Sequence, residues 1–267
     1  MLLMLPCFWG IFAAFSSFKD IHSNFLTIIL FAIGSVVMRS AGCVINDIFD
    51  KDLDKHVSRT SKRPLASGAI STIEAITIFC FLCLVGLAIL LSLNKTAIMI
   101  GFISFFLFIL YPLMKRITYW PQLFLGLTFN IGVIIGYVSI NGNISLSIFF
   151  LYLAGIFWTL GYDTIYAHQD REDDLRIGVK STAILFGDNS KLWISSFYLL
   201  MIICLLIFGQ LSDFKYLYYT SLVLVGFHLL FQLFKLDIYN SEVCLEIFKS
   251  NRYTGALIMF SLLLTLI

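Results

Sequence analysis

The stretch 25-FLTIILFAIGSVVMRSAGCVINDIFDKDLD-54 decides the fold class. The apolar run around it, positions 23–45, carries a single charge, Arg39. A helix needs about 20 predominantly apolar residues to cross the hydrocarbon core of a bilayer. The run meets that length and then breaks into Asn46 and four aspartates within nine residues, Asp47, Asp50, Asp52 and Asp54. A spanning helix that delivers a carboxylate cluster to one membrane surface is the simplest reading.

Working outward, the same kind of run recurs. Nine spanning helices are expected, at roughly 2–18, 23–45, 72–93, 96–113, 120–140, 145–166, 189–209, 216–234 and 253–267. Composition agrees: of 267 residues, 60% are hydrophobic and 13% charged, and mean hydropathy is +0.93. A water-soluble domain of this length has no means of hiding so much apolar surface, so the soluble classes, disorder and a disulfide-stapled scaffold are excluded. A net charge of +2 gives no footing for nucleic acid. The six cysteines sit mostly in apolar runs, including Cys80 and Cys83 inside TIFCFLCLVGL, and read as small hydrophobes. The N-terminus lacks a basic region and a small-residue cleavage site, so it reads as a retained first helix.

Loop charge sets the orientation. The loops after helices 2, 4, 6 and 8 hold fourteen of the eighteen Lys and Arg residues, and the opposite loops hold Lys19, Lys95 and Lys215. The positive-inside bias therefore puts the N-terminus and the four basic loops in the cytoplasm, and the expected location is a bacterial inner membrane.

Nine of the sixteen acidic residues lie in 46-NDIFDKDLD-54 and 163-DTIYAHQDREDD-174. On a continuous helix Arg39, Asn46, Asp50 and Asp54 share an arc of about 80°, and Asp163, Asp170 and Asp174 one of about 40°, with Tyr166 beside them. Facing carboxylate stripes repel unless a cation lies between them, and oxygen-only donors suit Mg²⁺, which keeps waters and bridges to phosphate oxygens. Each acidic segment is followed by cations and hydroxyls, in 59-RTSKRPLASG-68 and 176-RIGVKSTAILFG-187, and the two units lie 120 residues apart. That spacing predicts one domain over 1–267 with two pseudo-repeated halves, roughly 1–140 and 141–267. Carboxylates that gather Mg²⁺ beside cations that take the remaining negative oxygens describe a diphosphate site. An EF-hand reading of Asp50, Asp52 and Asp54 fails, because its sixth position is Lys55 and its twelfth Ser61. The four histidines are scattered and form no metal set.

These residues resemble the UbiA superfamily of intramembrane prenyltransferases. The segments 46–54 with 59-RTSKRPL-65 resemble its first Asp-rich motif, and 163–174 with 178-GVKSTA-183 its second. The stretch 111-YPLMKRITYWPQLFLG-126 is similar to the branch that prenylates 4-hydroxybenzoate in ubiquinone biosynthesis. The resemblance implies an all-α bundle of nine helices around a cavity open sideways to lipid. It implies Asn46, Asp50 and Asp54, helped by Asp47, as ligands of one Mg²⁺, and Asp170 and Asp174 as ligands of another. Arg63 and Lys180 would hold diphosphate oxygens, and Lys115 and Arg116 the diphosphate or the acceptor carboxylate. Arg39 and Tyr166 are further candidate substrate contacts. Asp163, deeper on its face, is the candidate to orient the acceptor phenol or take its proton. The implied partners are polyprenyl diphosphate, 4-hydroxybenzoate and the bilayer, with no obligate protein partner. The sequence departs from the family by starting at MLLMLPCFWG, without the preceding R-x-x-x-P-I-G-type stretch.

The expected chemistry follows: the diphosphate departs, and the allylic cation attacks the ring carbon ortho to the phenol. Tyr111, Tyr166 and Trp158 are candidate aromatic stabilisers of that cation. The same fold with a naphthoate, homogentisate, haem or chlorophyllide acceptor is the nearest alternative. An ion-coupled transporter, which would put its charges near the bilayer midplane, fits less well.

Overall fold

In a computed structural model the chain is described over residues 2–55 and 60–267. Met1, His56 and Arg59, the first cation of the RTSKRPL segment, lie outside the described residues. Among the described residues the chain is all-α, and nine principal helices carry it. They are α1 (Met4–Ala13), α2 (Phe25–Asp54), α3 (Thr72–Leu91), α4 (Lys95–Leu110), α5 (Pro121–Asn141), α6 (Leu146–Ala167), α7 (Ser190–Leu211), α8 (Tyr216–Lys235) and α9 (Ser241–Leu263).

Local chemistry places their ends. Ser71 and Glu74 form a capping box at the start of α3. Asn94, Ser145 and Asn240 each cap a following helix through a side-chain oxygen. Pro121 opens α5, and Gly142, at φ 78°, closes it in the left-handed region that favours glycine.

Among the described residues seven segments are long and apolar enough to cross a bilayer. The expected count of nine is reached only with α1, ten residues long, and with α9. The last helix also starts earlier than expected: α9 begins at Ser241 rather than near 253, so Glu242, Glu246, Lys249 and Arg252 lie on helix rather than loop. The sequence pattern missed this because those charges interrupt the apolar run while leaving helix propensity intact.

The helices pack as two groups. In the first, α1 lies on α5 and α2, α2 on α3, and α4 on α5. In the second, α6 lies on α7 and α9, α7 on α8, and α8 on α9. The α5–α6 and α1–α9 contacts join them. Backbones approach closely where α1 crosses α5: a Cβ at Gly10 would strike the Val133 carbonyl, and one at Gly136 the Cys7 carbonyl. Trp9 on α1 is fully buried, donates to the Gly255 carbonyl at 3.0 Å, and packs on Trp158. The first helix is therefore an integral part of the core.

The first group encloses an apolar cavity of about 580 Å³ lined by α1 to α5. Leu84 of α3 and Phe102 of α4 both line it and are largely exposed, so it opens sideways to the lipid-facing surface. Arg39 is its one charged lining residue among those described.

Candidate active site

Helix α2 is 30 residues long, about 45 Å at 1.5 Å per residue, whereas the hydrocarbon core is about 30 Å thick. Its acidic end therefore extends beyond the hydrocarbon while remaining helical. The continuity of α2 keeps Arg39, Asn46, Asp50 and Asp54 on the shared face that the sequence spacing implies.

Among the described residues, Lys115, Arg116 and Arg63 reach this end from the loops. The Lys115 ammonium donates to Asp50, whose side chain is 1% exposed. The Arg116 guanidinium donates to the Phe49 carbonyl and lies 3.7 Å from the other Asp50 oxygen. Arg63 bridges Asp47 at 2.8 Å and Asp54 at 3.0 Å through a single nitrogen. Thr60 ties the same loop down by donating to the Asp54 carbonyl at 3.1 Å. Among the described residues Asp47, Asp50 and Asp54 face Arg63, Lys115 and Arg116, three charges of each sign. Lys115 and Arg116 reach it because the chain after α4 tightens into a 3-10 turn, Tyr111–Leu113, and a short helix, Met114–Ile117.

The second acidic segment is built differently from the expected stripe. Helix α6 ends at Ala167, a 3-10 turn covers His168–Asp170, and a new helix runs Arg171–Ile177. Asp170 leaves the helical region, at φ −111° and ψ 9°. Asp163 therefore does not lie on one unbroken helix with Asp170 and Asp174, since the 3.6-residue period is interrupted between them. Gly178, at φ 74°, closes the new helix, and the Asp174 carbonyl accepts from the Val179 N–H at 3.0 Å. Asp163 lies on α6, within electrostatic range of Arg39, the charged residue that lines the cavity. The Arg39 guanidinium sits over the Phe129 ring at 5.5 Å, and Tyr111 packs edge-on to Phe129.

The other sequence candidates divide. Lys180 donates to the Ile117 carbonyl at 3.1 Å and lies 5.5 Å from the Tyr119 ring, so its ammonium is held by the turn after α4. Tyr166 packs on Phe248 at 4.5 Å. Trp158 is no cavity aromatic: it is fully buried, donates to Asn251 at 2.9 Å, and packs between Trp9 and Tyr162. Two residues were missed. Phe129, under Arg39, was one aromatic among many in apolar runs, with nothing to single it out. Gln122 carried a signal, a polar side chain in the first turn of an apolar helix.

The residues fit a hard divalent ion in one specific way. Asp50 Oδ1 is buried and accepts no hydrogen bond, which leaves lone pairs for a cation. Among the described residues no three His, Cys, Asp or Glu side chains converge as a chelating group. One or two carboxylates per ion is the donor set of Mg²⁺, which takes its other ligands from water and phosphate oxygens.

A multi-pass helical membrane protein with paired carboxylates and cations above an apolar cavity is the class this geometry defines. A sequence profile of the UbiA prenyltransferase family matches residues 3–264. The chain belongs to that family. It is 46% identical over 264 residues to proteins named "4-hydroxybenzoate polyprenyltransferase, mitochondrial" in Bos taurus and in Homo sapiens, covering 98% of this chain and 71% of each relative. The Arabidopsis thaliana protein of that name is 44% identical, with 98% of this chain and 64% of the relative covered. Among solved structures, a UbiA homolog from Aeropyrum pernix K1 superposes with a TM-score of 0.84 at 23% identity, covering 100% of this chain and 98% of the other. A UbiA homolog from Archaeoglobus fulgidus bound to GPP and Mg²⁺ gives 0.74 at 17%, covering 99% and 95%. These two likenesses speak to the fold.

Proposed function

We propose that the protein transfers a polyprenyl group from polyprenyl diphosphate to the ring carbon ortho to the hydroxyl of 4-hydroxybenzoate, giving 3-polyprenyl-4-hydroxybenzoate for ubiquinone biosynthesis. The observation that carries the reading is the cluster of Asp47, Asp50, Asp54, Arg63, Lys115 and Arg116 at the polar end of the helices that enclose the apolar cavity. The relatives' shared name supplies the acceptor.

In this reading the prenyl chain occupies the cavity and the diphosphate meets the cluster. Asn46, Asp50 and Asp54 with Asp47 close by, and Asp170 and Asp174, would hold Mg²⁺, which when bound would supply positive charge toward the diphosphate. Arg63 and Lys115 exchange carboxylate partners for diphosphate oxygens, and Lys180 holds the loop beside them. The allylic C–O bond breaks and its electron pair leaves with the diphosphate. The cation left behind is shielded from water by the apolar lining, where an aryl face contributes about 1–2 kcal/mol. A C–C bond forms to the acceptor ring, and the ring carbon's proton passes to a base, for which Asp163 beside Arg39 is the candidate. Arg116 or Arg39 receives the acceptor carboxylate.

The four basic loops meet in one cap. Lys115 reaches Asp50, the Lys180 N–H reaches the Lys115 carbonyl at 2.9 Å, and Tyr239 donates to Asp188 at 2.8 Å. Loop charge supports a cytoplasmic cap, in the reading that places the protein in a bacterial inner membrane. The word "mitochondrial" in the relatives' names favours a second reading, in which the same cap faces the matrix. Membranes carrying the protein should convert 4-hydroxybenzoate and a prenyl diphosphate to the 3-prenyl product, with EDTA abolishing and Mg²⁺ restoring it. Turnover with a naphthoate or homogentisate in place of 4-hydroxybenzoate would overturn the acceptor assignment.

A further inference from the structure

The short helix Thr182–Phe186 follows the second acidic segment, and its first N–H groups have no partner within the helix. Ser181 accepts from the Ile184 N–H at 3.3 Å. The Thr182 N–H, on a fully buried residue, is met from the other half of the chain: it donates to the Gln122 side-chain oxygen at 3.0 Å. Gln122 is itself 5% exposed and sits in the first turn of α5, directly after Pro121. The Thr182 hydroxyl lies 2.7 Å from that of Thr164, which donates to the Leu160 carbonyl and so accepts from Thr182.

Two further bonds run between the same segments, from the Lys180 N–H to the Lys115 carbonyl at 2.9 Å and from the Lys180 ammonium to the Ile117 carbonyl at 3.1 Å. The Val179 N–H holds the Asp174 backbone carbonyl on one side of this junction, and the Lys115 ammonium holds the Asp50 carboxylate on the other. The two acidic segments are thus connected through a strap only a few bonds long, and Gln122 fastens its far end.

We infer that Gln122 is a positioning residue that fixes the separation of the two acidic segments, and so the fit of a metal–diphosphate between them. It contacts no carboxylate and has no part in the chemistry. The inference rests on the prenyltransferase reading. A loosened strap lets residues 178–182 shift against 115–118, which weakens what bridges the two segments. The acceptor end, at Arg39 and Phe129, is tied to neither loop by these bonds.

The test compares Gln122→Leu and Gln122→Glu with the parent protein, purified in nanodiscs. In Gln122→Leu, amide hydrogen exchange over 179–184 should speed up at least tenfold. The Mg²⁺ concentration for half-maximal turnover and the KM for prenyl diphosphate should each rise about tenfold, while the KM for 4-hydroxybenzoate stays within about twofold. Gln122→Glu offers the same acceptor atom at a helix N-terminus, where negative charge is favoured, and should restore all three readouts to within about threefold. Unchanged exchange in Gln122→Leu, or equal loss of both KM values in the two variants, overturns the inference. Should the parent protein fail to prenylate 4-hydroxybenzoate, the functional reading falls. Exchange over 179–184 and the thermal shift given by Mg²⁺ with inorganic pyrophosphate then decide on Gln122 separately.

Discussion

The Lys115 ammonium closes on the buried carboxylate of Asp50 across 65 positions of chain. The pair fixes the turn after α4 against the end of α2 and sets the electrostatics of the site. Arg116 adds a looser contact, 3.7 Å from the same carboxylate, with a side chain that is 46% exposed. Lys115 is the better shielded of the two, with a side chain 25% exposed. An interaction aimed at developing charge from a shielded position is worth about 10²–10³ in rate, and an exposed one considerably less. Lys115→Ala should lower kcat/KM by about two orders of magnitude, and Arg116→Ala by about one. Steady-state kinetics on purified protein checks the order, and a larger loss from Arg116→Ala would overturn the ranking that shielding predicts.

Charge balance at the end of α2 sets how metal and diphosphate bind. Among the described residues three carboxylates face three cations at this end, so Mg²⁺ bound here alone adds uncompensated positive charge, and a diphosphate alone adds uncompensated negative charge. Each should therefore strengthen the other, and the coupling is reciprocal. In thermal melts, Mg²⁺ and inorganic pyrophosphate together at a hundredfold excess over their joint dissociation constant should stabilise the protein by about 2.7 kcal/mol. Either one alone should give less than half of that shift. A full shift with Mg²⁺ alone would mean a metal site complete without substrate.

Trp158 tests the division between core and cavity. Its ring is fully buried between Trp9 and Tyr162, at centroid distances of 5.1 and 5.0 Å, and its indole N–H is satisfied by Asn251. Replacing such a side chain by alanine costs about 3–5 kcal/mol. Trp158→Ala should reduce thermal stability and the yield of folded protein. Trp158→Phe should keep kcat/KM within about threefold, which a cation-stabilising role would not allow.

The reach of the sequence has a physical pattern here. Spacing on α2 read correctly because one helix runs unbroken from Phe25 to Asp54. The same reasoning on α6 carries no further than Ala167, since at His168 the chain changes to a 3-10 turn that residue spacing does not announce. Loop charge marked the basic side. The partners of its cations stayed hidden, since nothing local says that Lys115 meets Asp50 or that Lys180 is held by Ile117. Aromatic roles were illegible for a related reason: packing, cavity lining and lipid contact all use the same residue types, and the sequence contains 27 Phe and 12 Tyr. Gln122 shows the opposite case, a polar residue at an apolar helix start whose meaning appeared only with its partner Thr182.

Arg63 allows two effects of opposite sign to be read from one substitution. One of its nitrogens lies 2.8 Å from Asp47 and 3.0 Å from Asp54, and the Asp54 side chain is only 9% exposed. Its backbone N–H also donates to the Thr60 carbonyl at 2.9 Å, so the side chain is presented from a turned loop rather than a free one. Removing the guanidinium leaves the carboxylates with one uncompensated negative charge, and a buried carboxylate that loses its partner is strongly destabilised. A divalent cation relieves that excess, so Arg63→Ala should bind Mg²⁺ alone more tightly than the parent protein, by about threefold to tenfold. The same variant has lost a donor for diphosphate oxygens, so the KM for prenyl diphosphate should rise about tenfold or more. Arg63→Lys restores the charge with a compact ammonium that cannot reproduce the planar fork, and should fall between the two. Calorimetric titration of Mg²⁺ and steady-state kinetics measure the two quantities independently. If Mg²⁺ affinity falls in Arg63→Ala, the carboxylates that Arg63 bridges are not the metal ligands, and Asp47 and Asp54 are instead the anchors that hold its loop in place.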